Sequence, residues 1–125
     1  MRKARPGDDL AEHLVDVLAP LGDVEANRFF GGHGLSLGGV QLAMVIKGEV
    51  YLRADDALAA RLAERGSKPF TYRTRARIVR VPSYWSVPQA DLDDEDAFVG
   101  WARSALVAAR AGKKKAKTAR SPRRP

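Results

Sequence analysis

Residues 34–38, Gly34-Leu35-Ser36-Leu37-Gly38, spell G-x-S-x-G, the pattern that sets a serine nucleophile on a sharp strand-to-helix turn. His33 precedes it, and Gly31, Gly32 and Gly39 flank it. Such a stretch suits a nucleophile, an anion cradle or a plain chain reversal. A nucleophile elbow needs a helix after its serine, then an acid and a histidine further along the chain. Here both histidines, His13 and His33, precede Ser36, and a strand-like run begins at Val40. A dinucleotide loop needs G-x-G-x-x-G, but Leu37 stands where the last glycine belongs; a Walker loop needs Gly-Lys-Ser/Thr, which is absent. Both cradles also aim helix N-terminal amides at the anion. Chain reversal therefore explains Gly31, Gly32, Gly34, Gly38 and Gly39 most simply, and Gly48 with them.

Other reactive groups are few. The chain has no cysteine and two histidines, so thiolate chemistry is excluded and no close-spaced zinc ligand set can be drawn. Asp55-Asp56 resembles an acid/base pair, but a carboxylate accepting from first-turn amides explains it better. No catalytic residue, metal or cofactor is expected.

The cations are more informative. The net charge is +7, and seven of the 22 Lys and Arg fall at Lys113, Lys114, Lys115, Lys117, Arg120, Arg123 and Arg124. No acid lies among them, so the other fifteen balance all 15 Asp and Glu. Block charge of this kind often marks an interaction arm. A second candidate is FTYRTRARIVRVPSYW, where Arg73, Arg75, Arg77 and Arg80 alternate with Tyr72, Tyr84 and Trp85. Cations interleaved with rings suit phosphate contact plus base stacking.

Positioning these groups requires a folded body. Residues 1–7 read as a disordered basic leader, 8–111 as one domain, and 112–125 as a disordered basic tail that lacks core-forming residues. About 110 residues bury roughly two-thirds of their unfolded surface, enough for one core. Asp8 or Asp9 caps a helix with Leu10, Leu14, Val17, Leu18 and Leu21 on one stripe, ended by Pro20-Leu21-Gly22. Strands follow at 35–37, 40–46 and 49–53, with 24–30 also extended in pattern, and Gly38-Gly39 and Lys47-Gly48 make tight turns. A short helix capped by Asp55 or Asp56 ends at Gly66. Strands at 69–72 and 77–81 join through Arg73-Thr74-Arg75-Ala76. The acidic run Asp91–Asp96 opens a last helix that buries Phe98, Trp101, Ala102, Ala105 and Ala109. The expected class is α+β, an antiparallel sheet with helices packed on it in two layers. No segment is apolar for long enough to span a membrane and no signal peptide is read, so the default location is the cytoplasm.

The order of short motifs resembles the TfoX N-terminal domain family over about residues 8–111. The matching stretches are Phe30-Gly31-Gly32-His33-Gly34, Tyr51-Leu52-Arg53-Ala54-Asp55, Gly66-Ser67-Lys68-Pro69-Phe70-Thr71-Tyr72, Tyr84-Trp85-Ser86-Val87-Pro88 and the Trp101-Ala102 helix. The resemblance implies an α-β(3)-α-β(2)-α domain. It also implies a regulator, since TfoX/Sxy proteins govern natural competence with the transcription machinery and are not known as enzymes. The full-length regulators carry a second, C-terminal domain where this sequence has its basic run. Arg75-Ala76 stands where the family usually has a Lys-Gly turn, and Ala76 tolerates positive φ poorly.

Two functions are expected. The first is a non-enzymatic regulator associated with nucleic acid or transcription machinery. The second is a protein-interaction or homodimerisation module using a sheet edge, with Val40–Ile46 and Val50–Leu52 as the apolar runs most in need of pairing.

Overall fold

The computed structural model describes the backbone of residues 8–29 and 31–120, and the side chains of 9–29 and 31–112. The elements are α1 (Asp8–Val17), β1 (Val24–Phe29), β2 (Gly32–Leu37), β3 (Val40–Ile46), β4 (Glu49–Arg53), α2 (Asp56–Glu64), β5 (Pro69–Arg73), β6 (Ile78–Ser86), α3 (Gln89–Leu92) and α4 (Glu95–Arg120). The fold is α+β. The six strands form one antiparallel sheet in the order β1-β2-β3-β4-β6-β5. The extended 24–30 pattern is thus a full strand, and four strands rather than three precede α2. Among the described residues no helix is long and apolar enough to cross a membrane.

Local chemistry accounts for the boundaries. Pro20 has no N–H to donate to the Asp16 carbonyl, so α1 stops at Val17 and a 3-10 turn at Ala19–Leu21 follows. Gly38 and Gly39, then Lys47 and Gly48, all have positive φ, as two-residue hairpin turns require. The Asp55 carboxylate accepts from the Leu58 amide at 2.8 Å and caps α2. Gly66 ends it at φ 89°. The amides of Gly66 and Ser67 donate to the carbonyls of Ala63 and Leu62, which closes the helix end with two satisfied carbonyls. The Asp94 carboxylate accepts from the Ala97 amide and caps α4.

One face of the sheet carries the main core. Leu14 and Leu18 from the α1 region, Leu58 and Leu62 from α2, and Phe98, Ala102 and Ala105 from α4 pack on Leu35, Ala43, Val45, Val50 and Leu52. The alanines let α4 lie close to β3 and β4, and each large side chain buried here contributes about 1.5–3 kcal/mol. Trp101 lies at the flank of this stripe, partly buried, while Leu106 is buried within it. The backbone of α4 is helical from Glu95 to Arg120, across the change of composition at Gly112. Lysine and alanine are good helix formers, and propagation from a packed stem avoids the cost of nucleation.

The second face carries a smaller cluster, Met44, Ile46 and Phe70, with Phe29, Tyr51, Val81 and Tyr84 around it. A bend in β6 brings Phe70 there. Pro69 pairs with Trp85, yet Phe70 pairs with Val81, so Pro82, Ser83 and Tyr84 bulge against one step of β5. Pro82 donates no ladder bond, and the Ser83 carbonyl accepts from the Ala54 amide instead. The distal part of the β5–β6 hairpin therefore leans back over this face.

Candidate functional site

The G-x-S-x-G stretch forms β2 and the turn into β3. Ser36 lies inside the strand, opposite Glu25 and Gln41, and a strand rather than a helix follows. His33 and Ser36 are three residues apart, so strand alternation points them to opposite faces. The nucleophile-elbow geometry is not formed. Two of the expected turn glycines have another role. Gly32 and Gly34 sit within β2, and neither has positive φ. A Cβ at Gly32 would collide with the Val45 carbonyl, and one at Gly34 with the Gln41 side-chain amide. These glycines permit close approach, and the absence of a side chain at Gly34 leaves room for Gln41 to donate to the Tyr84 hydroxyl at 3.0 Å. Gly31, Gly38, Gly39 and Gly48 do turn the chain.

The arginine-rich segment forms the tip of the β5–β6 hairpin. Arg73, Arg75, Arg77 and Arg80 are all exposed. Thr74 pins the loop: its amide and hydroxyl both donate to the Arg77 carbonyl, at 2.8 and 3.0 Å. The Arg77 amide lies 3.1 Å from the same hydroxyl. The loop therefore closes without positive φ at Ala76, and a threonine hydroxyl substitutes for the missing glycine. From Arg65 to Ala90 the sequence has six cations and no acid. Of the aromatics expected to stack, Tyr84 and Trp85 are half-buried and engaged. Tyr84 accepts from Gln41, and the Trp85 indole donates to the Pro82 carbonyl at 2.9 Å. Tyr72 stays 40% exposed.

Lys113, Lys114, Lys115, Lys117 and Arg120 fall on the helical backbone of α4, but their side chains lie outside the described residues, as do Arg123, Arg124 and the leader 1–7.

Between the β3–β4 turn and the β5–β6 hairpin lies an open groove of about 600 Å³. Tyr51, Phe70 and Tyr72 give it a ring-lined side, Lys47, Arg73 and Glu49 its charges, and Ile46 and Ile78 its aliphatic surface. Tyr51 meets Phe70 edge-on at 5.0 Å, and Phe70 meets Tyr72 at 6.0 Å. Burial, and then the Glu49 charge, push the Tyr51 hydroxyl above its ordinary pKa. Sequence reading did not find this groove. The signal was the uninterrupted apolar run Leu42–Ile46 in β3, since a strand apolar on both sides needs cover on both faces.

A second group missed by sequence reading joins three helices. Asp91 is 9% exposed. Its carboxylate accepts from the Trp101 indole at 2.6 Å and from the Arg65 guanidinium at 3.1 Å. The Arg61 guanidinium lies over the Trp101 ring at 5.0 Å. Asp91 therefore does not belong to the acidic run that caps α4; it clamps α2, α3 and α4 together.

Among the described residues no three His, Asp or Glu side chains converge to hold a metal. No curated protein matches the chain. The family model of the TfoX N-terminal domain matches residues 16–109. That span holds the whole sheet and most of the helical layer, and the chain therefore belongs to the TfoX N-terminal domain family.

Proposed function

We propose that the protein is a non-enzymatic, TfoX-type regulatory domain that associates with nucleic acid through two cationic segments. One is the β5–β6 tip, and the other is the Lys/Arg run from Lys113 to Arg124. The family is not a known enzyme family, and the role that fits the chain best is the transcription regulation that TfoX/Sxy proteins exert in competence. The observation that carries the reading is the tip: four exposed arginines within eight residues, pinned by Thr74 and forming no ion pair among the described residues. Cations so arranged contact phosphate without specifying sequence.

Anisotropy titration of a labelled duplex with the full chain and with Arg73, Arg75 and Arg77 all replaced by Gln tests it. Affinity should fall to a similar extent for unrelated sequences, and the slope of log K against log salt should shallow by about 0.9 for each phosphate no longer neutralised. Equal affinities would remove the tip from the interface.

The self-association reading has weaker support. The apolar runs Val40–Ile46 and Val50–Leu52 belong to the central strands β3 and β4. The sheet edges are β1 and β5, which carry Glu25, Arg28 and Arg73, and charge on an edge discourages strand addition.

A further inference from the structure

We infer that the groove between the β3–β4 turn and the β5–β6 hairpin holds a base of single-stranded nucleic acid, with the adjoining phosphates on Lys47 and Arg73. The inference rests on the nucleic-acid reading above and names a site within it.

Three observations point to this occupant. The first is the pairing of rings with cations. Tyr51, Phe70 and Tyr72 share the groove with Lys47 and Arg73, and Arg75 and Arg77 continue the cationic line along the tip. A ring platform beside a basic track is what single strands use, because an unpaired base offers its face and its phosphates together. A duplex keeps its base faces stacked inside. The second is size: about 600 Å³ lies within the range of small-molecule clefts, which leaves room for a base. The third is the backbone of Lys47. Its φ of 51° makes it the one non-glycine among the described residues with positive φ. The turn geometry favours Asn or Gly there, and a lysine in the left-handed region carries strain of the kind that collects at functional positions. That strained position holds a cation at the groove. Glu49 is the single acid of the lining. Two cations outnumber it, and its carboxylate can accept from a base N–H, the N3–H of thymine included.

Lys47 also separates binding from folding. Lys47→Asn removes the cation while improving the turn. Tyr72→Ala removes a partly exposed ring from an edge strand.

The test is anisotropy with the full chain, a labelled thymidine strand of about 12 nucleotides, matching the site sizes of such proteins, and a duplex of equal length. Melting of each variant is followed by circular dichroism. The wild type should bind the single strand more tightly than the duplex. Tyr72→Ala should weaken single-strand binding roughly 5- to 100-fold at every salt concentration and leave duplex binding within about twofold. Lys47→Asn should melt no lower than wild type and should shallow the single-strand salt slope by about 0.7. If strand and duplex bind alike and neither variant separates them, the groove assignment fails and the nucleic-acid reading stands. If neither ligand binds at all, both fail. If Tyr72→Ala instead turns a dimer into a monomer, the groove belongs to a second copy of the chain and the assignment is overturned.

Discussion

Gly32 and Gly34 meet their neighbours differently, and the difference is measurable. A methyl at 32 drives into the Val45 carbonyl, a backbone atom that moves only with its strand. A methyl at 34 meets the end of the Gln41 side chain, which can swing away and give up its bond to Tyr84. Overpacking costs about 1–3 kcal/mol. Gly32→Ala should therefore lose about 2–3 kcal/mol in urea unfolding and Gly34→Ala about 1 kcal/mol. The reverse order would contradict the register of β2 on β3. At Tyr51 the sign of the pH effect is fixed by the raised pKa. The folded chain holds this proton more tightly than the unfolded chain does. The associated stability is complete below the ordinary value of 10.0 and is lost as pH rises through the raised one. Tyr51→Phe should remove this share of the alkaline decline, so the unfolding midpoints of wild type and variant should diverge above about pH 10. Parallel curves would place the hydroxyl in open water.

Between elements, Asp91 makes the most exposed prediction. Removing its carboxylate leaves the Trp101 indole donor without an acceptor and frees Arg65, whose half-exposed guanidinium can return to water. Asp91→Ala should cost about 2 kcal/mol, and Asp91→Asn, which keeps an acceptor, about half that. Equal costs would mean that charge rather than the indole bond dominates. This clamp was hidden in the sequence because Asp91 heads a run of acids, and nothing local separates it from Asp94, which does cap α4. Asp55 was readable because a cap depends only on its own helix start. The hairpin turns at Gly38-Gly39 and Lys47-Gly48 were readable for the same reason. Gly32 and Gly34 were not, since their constraint comes from Val45 and Gln41 on the next strand. The groove was hidden for a further reason. Tyr51 and Phe70 lie nineteen positions apart and meet only because β6 bends at Pro82. Within the matching motifs, Tyr51, Phe70 and Tyr72 sit on one face, while Asp55, Gly66 and Val87 serve caps and core. The residues that carry the family resemblance thus divide between framework and groove.

At the scale of the whole molecule, charge is divided unevenly. The chain up to residue 112 is neutral, and the excess of +7 follows it. A neutral domain with a basic extension should bind nucleic acid through counterion release, with the extension setting the strength of attraction and the folded part setting what is held. If about five of the seven terminal cations meet phosphate, log K against log salt for duplex DNA should fall with a slope of about −4.5. The most direct measurement is that slope for the full chain and for a full-length variant with Lys113, Lys114, Lys115 and Lys117 changed to Gln. The expected result is a steep slope that shallows by about 0.9 for each lysine that had neutralised a phosphate, with the melting temperature of the domain unchanged. A chain whose affinity for DNA ignores salt, or whose slope is the same with and without those four lysines, would contradict a nucleic-acid role for the basic extension.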